Sequence, residues 1–314
     1  MRRRRSSASH DGSDRGSIAV MVAAAFVPLT MAMAVVADGG RVWMEKQNLQ
    51  NEVEASALAV AQSTALGGVS CAPSALALVS SEVTCSTATS TNGSISTVVA
   101  SDDVNLYFAQ LLGRDSAGIA ASASVRIGPA TSTTGLRPTA MCVANDSLVD
   151  WLASGMTSTA TYTIGVDAST DECGTDVAGN WGVLDFDGGA NSMSDAQDWI
   201  VNGYPGTVSA GETLDGDPGI PSPALNLDEV TGQSVVLPVF ANPRLEGANA
   251  TYDVVGFVKV RIVEVNLTGS ASNRNVKVVF EQGTVRGTPG DVTAENFGVS
   301  SWAVCSFDGR GVCS

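Results

Sequence analysis

Between residues 18 and 37 the chain reads IAVMVAAAFVPLTMAMAVVA, twenty positions without a charge and with Thr30 as the one hydroxyl. Wound as an α-helix, such a run spans ~30 Å, the hydrocarbon thickness of a bilayer. A helix buried in a soluble core rarely stays uncharged on every face for so many turns. The pattern predicts a transmembrane helix over 18–37. Pro28 removes one backbone donor inside it and predicts a kink, with Thr30 or a neighbouring helix compensating. Helical character continues over 41–65, where strong helix formers carry neither Pro nor Gly. Val42, Leu49, Val53 and Val60 recur as one apolar stripe, and Glu45, Lys46, Gln47, Gln50 and Glu54 cover the rest. One long helix is expected, half in the membrane and half (38–66) projecting outward, ended by Gly67-Gly68.

Beyond it the period shortens. Residues 67–128 read as a small α+β segment: a strand over 95–100, a short helix over 103–112 stopped at Gly113, and a half-buried strand over 117–127. Residues 129–138 (PATSTTGLRP) have the composition of a linker. From 139 to 314 strands dominate, expected at 160–166, 181–186, 234–240, 252–265 and 275–281, the last two forming a hairpin about a polar turn at 267–274. The single helix expected there is 194–202, capped by Ser194. Residues 203–223, rich in Gly, Pro and Asp, read as a long loop. Residues 1–17 lack apolar periodicity and read as a disordered basic tail. The fold class is therefore α+β: an N-terminal transmembrane helix continuing into an exposed helix, then a small α+β segment and a mainly-β exterior domain.

Charge gives this picture a direction. Residues 1–17 carry +3 (five Arg against Asp11 and Asp14), whereas everything from Asp38 onward carries −18 (12 basic against 30 acidic residues). Arginines before the span place the N-terminus in the cytoplasm and the rest outside by the positive-inside rule. So acidic an exterior excludes nucleic-acid binding through phosphate neutralisation. The basic start, apolar core and small residues at Val35 and Ala37 also fit a cleaved signal peptide. The length of the run and the helical pattern beyond it favour a retained anchor in a bacterial cell membrane.

All six cysteines, Cys71, Cys85, Cys142, Cys173, Cys305 and Cys313, follow the span, which suggests disulfides formed in an oxidising compartment. Short loop closure favours Cys71–Cys85, Cys142–Cys173 and Cys305–Cys313 among the fifteen connectivities that six cysteines allow. His10, in the tail, is the only histidine, so Ser-His and Cys-His catalysis lack a base outside, and no zinc site, P-loop or dinucleotide fingerprint is present. No enzyme activity, cofactor or metal is expected. Asp185, Asp187, Asn191 and Asp195 form an acidic loop that reads first as a polar turn, with a Ca²⁺ site as the weaker alternative. Trp181 and Trp199 flank that loop and read as core tryptophans before a recognition surface.

The first sixty residues also resemble a known family. Gly16 entering the span, Asp38-Gly39-Gly40-Arg41 leaving it, and Leu49-Gln50-Asn51 followed by Ala57-Leu58-Ala59 are similar to the N-terminal segment of TadG-like proteins of bacterial Tad (Flp-type) pilus assembly systems. The resemblance implies a non-enzymatic, membrane-anchored structural or assembly component. Its implied partners are membrane lipid and pilus or pseudopilin subunits or Tad assembly proteins, with lateral association through a small-residue face at Ala23, Ala24, Ala25, Ala32 and Ala34. Processed pilins carry Glu five residues after the cut Gly; Met21 occupies that position here, which implies an unprocessed member. Asp167-Ala168-Ser169-Thr170-Asp171 lacks the last Ser of a von Willebrand A-type D-x-S-x-S and reads as an Asp-capped turn. The competing expectation is an exported adhesin-like module for a glycan or surface polymer, with or without Ca²⁺.

Overall fold

The computed structural model describes residues 14–90, 93–165, 183–188, 193–216, 226–244, 251–270 and 273–305. The basic tail over 1–13, the strand start at 181–182, Asn191, the turn at Asp167–Asp171, and Cys173 and Cys313 lie outside the described residues.

Helix α1 (Asp14–Ala65) runs 52 residues and passes through Pro28 and through Gly39-Gly40. It ends where the glycines predict. Gly67 takes a left-handed φ of 71°, and the N–H groups of Gly67 and Gly68 close on the carbonyls of Thr64 and Ser63 at 3.1 and 2.8 Å. That is a Schellman cap, which satisfies carbonyls the helix end would otherwise leave open. A short helix α2 (Pro73–Leu76) follows. Three antiparallel strands come next, β1 (Glu82–Ser90), β2 (Gly93–Asn105) and β3 (Ser116–Thr133).

The outer half of α1 keeps its polar side in solvent, but its apolar stripe is covered. Leu49, Val53, Ala57, Val60 and Ala61 are buried against Val98, Ala100 and Val104 of β2 and Ile119, Ala121, Ala123, Val125 and Ile127 of β3. The core residues named on each strand are separated by even numbers of positions, as residues on one face of a sheet are. Helix and sheet thus form one layered unit.

The rest of the chain contributes β4 (Met141–Cys142), α3 (Asp146–Ala153), β5 (Tyr162–Gly165), β6 (Leu184–Asp185), α4 (Met193–Asn202), β7 (Val208–Ser209) and β8 (Thr213–Gly216). Then come β9 (Ser234–Arg244), β10 (Thr251–Asn266), β11 (Asn275–Glu281), β12 (Gly283–Thr284), β13 (Gly287–Pro289) and β14 (Val299–Val304). The long strands build a second sheet in the order β4-β9-β10-β11-β5, with β8 on β10 and β6 on β8. The expected hairpin is present as β10–β11, paired from Lys259 with Glu281 to Asn266 with Asn275 with a register shift between Ile262 and Glu264. Helices α3 and α4 cover this sheet through Leu148, Trp151, Ala196 and Ile200, and Trp151 stacks on Phe280 at 5.2 Å. The α+β class, with sheets dominating after the long helix, is what the structure shows.

Several local expectations are corrected. The helix expected over 103–112 begins as strand, because Asp103, Val104 and Asn105 pair with Gly118, Ala117 and Ser116 of β3. Only Ala109–Leu112 turns, as a 3-10 helix closed by Gly113 at φ 76°. The linker expected at 129–138 is strand to Thr133, with Ala130 and Leu136 buried. Helix α3 went unpredicted, although Asn145 caps it by accepting from the N–H of Leu148 at 3.2 Å. Ser194 lies inside α4, so it is not the residue before its first turn. The loop expected from 203 holds β7 and β8, and 217–223 lie outside the described residues.

Candidate functional site

The family-like residues lie along α1, and the structure gives most of them a task. Residues 18–36 are exposed on all sides apart from a half-buried Ala34, so the run is an apolar helix with no protein partner in the single chain. By length and composition it is a candidate membrane span. Pro28 leaves the carbonyl four residues before it without its helical donor. Thr30, expected as the compensating group, goes elsewhere: its hydroxyl donates to the carbonyls of Phe26 and Val27 at 3.0 and 2.9 Å. These bonds satisfy the Thr30 hydroxyl within the helix itself, as an apolar surrounding would require.

Asp38 is the first residue after the span, and its side chain is buried. One carboxylate oxygen accepts the N–H of Tyr107 at 2.9 Å, and the other accepts those of Phe108 and Ala109 at 3.0 and 2.8 Å. The β2–β3 turn at the start of its 3-10 helix presents three amides that have no partner in the turn itself, and a carboxylate suits such a helix start. Burial pulls the Asp38 carboxyl upward, but the three donors and the nearby Arg41 guanidinium outweigh it and hold it below the ordinary carboxylate value. One helical turn on, the Arg41 guanidinium lies over the Tyr107 ring, 4.5 Å from its centre. Asp38 and Arg41 thus fasten the helix to the near end of the sheet.

Gly39 and Gly40 face open space, and a Cβ on either would meet nothing within 4 Å. Gln50 donates to the Ser122 carbonyl at 3.2 Å and to Glu54 at 2.8 Å, so it ties the helix to β3 midway along. Leu49 and Ala57 are buried in the helix–sheet core, Leu58 and Ala59 pack at its margin, and Asn51 is exposed. Gly16 is in the first turn of α1. Sequence reasoning missed two parts of this dock. Ser56 donates to the Ala75 carbonyl at 2.9 Å, and Glu52 accepts from the Ser80 N–H and hydroxyl at 3.0 and 2.9 Å. Both residues sit beside the stripe, and no local pattern announces a partner so far along the chain.

Cys71 and Cys85 form a disulfide, which ties the segment before α2 to β1. Cys142 and Cys305 are also disulfide-bonded; the pairings expected with Cys173 and Cys313 fall outside the described residues. Of the acidic loop, Asp185 is buried and accepts the N–H groups of Asp187 and Gly188 at 3.1 Å each. Burial first, then the Asp187 side chain, push its carboxyl above the ordinary value. Asp195 is exposed in the first turn of α4, where the Ser194 hydroxyl lies 3.5 Å from its carboxylate. Among the described residues no three His, Cys, Asp or Glu side chains converge as metal ligands would. Trp199 packs with Phe186 and Tyr204, ring centres 5.6 and 5.1 Å away, while Trp181 falls outside the described residues.

Residues 16–63 match the family model Tad, the TadE/G-like family of Flp pilus assembly. The matched stretch coincides with the span, the Asp38 fastening and the docked helix. No curated protein and no solved structure matches the chain.

Proposed function

We propose that this chain is a non-enzymatic, single-pass component of a bacterial Tad-type pilus assembly system, with residues 1–17 in the cytoplasm and the folded part on the far side of the membrane. The observation that carries the reading is the coincidence of the Tad-family match with α1. That match supports a role in pilus assembly, and the helix supplies both an apolar run long enough for a bilayer and a second half that carries the folded part. The arginine run before the span supports the orientation. A disulfide between Cys71 and Cys85 fits an oxidising compartment. The small-residue face at Ala23–Ala25, Ala32 and Ala34 suits lateral packing with related helices, because small residues let backbones approach in lipid.

In this role the span anchors the chain, and the sheets present a surface to pilus subunits or to other assembly proteins. The test is a deletion strain examined for surface pili, combined with cross-linked capture of the tagged full chain from native membranes. Reduced or absent pili, together with capture of pilus-system proteins, is the expected result. Normal pili in the deletion strain and no pilus-system protein in the capture would overturn the reading.

A further inference from the structure

We propose that Tyr107 and Phe108, with Trp43 and Met44 of α1, form a collar that seats the folded part in the headgroup region of the leaflet from which the chain emerges. The inference rests on the reading of residues 18–37 as spanning the membrane. These side chains are 67%, 46%, 64% and 60% exposed respectively, large and mostly apolar.

Their height is set by two independent features. The three bonds to Asp38 hold the backbone of residues 107–109 level with the first residue after the span. Trp43 and Met44 lie about 8–9 Å further along the helix axis at 1.5 Å per residue. Around the axis, at about 100° per residue, they fall on the flanks of α1 away from the side where Asp38 meets the turn. Rings on the turn and side chains on the helix therefore surround the chain at its exit from the hydrocarbon, within the thickness of the interface.

The chemistry suits that layer better than open water. Trp and Tyr concentrate at membrane–water boundaries because each has an apolar body and a polar tip. Along the helix only Ala37, the buried Asp38, Gly39, Gly40 and the half-buried Arg41 and Val42 separate Trp43 from the exposed apolar surface of residues 18–36, so lipid that covers the span lies within two turns of the patch. Arg41, held over the Tyr107 ring, stands at the same height and offers a cation to lipid phosphate. The Asp38 carboxylate is engaged by three N–H groups and does not face those phosphates bare. The collar sets the height of the sheets above the bilayer.

The full-length protein reconstituted in phosphatidylcholine vesicles tests this, with bromine placed on the acyl chains either near the headgroup or near the chain end. Trp43 emission is isolated as the difference between the wild type and Trp43→Phe. A second probe is Tyr107→Trp in the Trp43→Phe background. Headgroup-proximal bromine is expected to quench both signals roughly twofold more than deep bromine. If neither bromine quenches either signal while the protein resists alkaline carbonate extraction, the span stands and the collar is overturned; the rings then face a protein or a second copy. Deeper quenching than shallow quenching also overturns it, because the residues would lie inside the hydrocarbon. Extraction by carbonate would remove the spanning reading and the collar together.

Discussion

One carboxylate decides how the long helix meets the sheet. Asp38 is buried beneath the turn, and its three N–H bonds bear on both its ionisation and the position of the turn. The folded-state value lies below the ordinary 3.8. The contribution of a group with a depressed value is complete above its unfolded value and is lost as pH falls through the folded one. The protection of the amides of residues 107–109, taken relative to the intrinsic exchange rate at each pH, should therefore be high at neutral pH and fall below that value. Asp38→Asn should already exchange about tenfold faster at neutral pH, because the amide keeps one acceptor and loses the charge. Equal exchange in the two proteins across the range would remove Asp38 from this role. A second residue, Gly298, shows the same economy of space. Its φ is 83°, and a Cβ there would run into the Trp151 ring.

At the scale of elements, α1 and the β2–β3 hairpin lie close because the residues between them are small. Ala57 and Ala61 share one buried core with Ala121 and Ala123 of β3, together with Val53 and Val60. Enlarging this seam should hurt: Ala57→Leu adds methylenes where nothing gives way and should cost about 1–3 kcal/mol by thermal or denaturant unfolding of the detergent-solubilised protein. Gly40→Ala is the contrasting case. It lies in the helix facing open space, so it should be neutral or stabilise by about 0.5–1 kcal/mol through lower unfolded-chain entropy. A loss of stability from Gly40→Ala would mean that the helix bends there. The apolar stripe over 42–60 was legible because its spacing is local. The strand at 103–105 was not, because its helix-like composition yields to pairing with residues 116–118, a contact no short window contains. Helix α3 is a milder case: its Asn145 cap is visible in the sequence, but the surrounding β-rich pattern hides eight helical residues.

In the whole molecule, the last described strand returns to the third. Strand β14 pairs antiparallel with β3 from Ser300 with Pro129 to Val304 with Val125, and the Cys305 N–H donates to the Ser124 carbonyl at 2.8 Å. The sheet that docks α1 is thus completed by residues far along the sequence. Replacing both Cys71 and Cys85 by Ser frees a loop that the disulfide closes over a separation of 14 residues. By loop-closure entropy this should cost about 2–4 kcal/mol, read as a lower unfolding midpoint under non-reducing conditions. An unchanged midpoint would mean that the loop is held by other contacts.

The sequence by itself determined the apolar span, its basic flank, the helix beyond it with its glycine stop, and the β10–β11 hairpin. Each of these follows from periodicity, charge or backbone freedom within a few residues. Tertiary structure alone decided that the outer helix lies against a sheet, that Asp38 binds a turn some seventy positions away, and that β14 joins the first sheet beside β3. Those outcomes depend on which buried amides and apolar faces find one another in space. Local propensity carries no record of such partners.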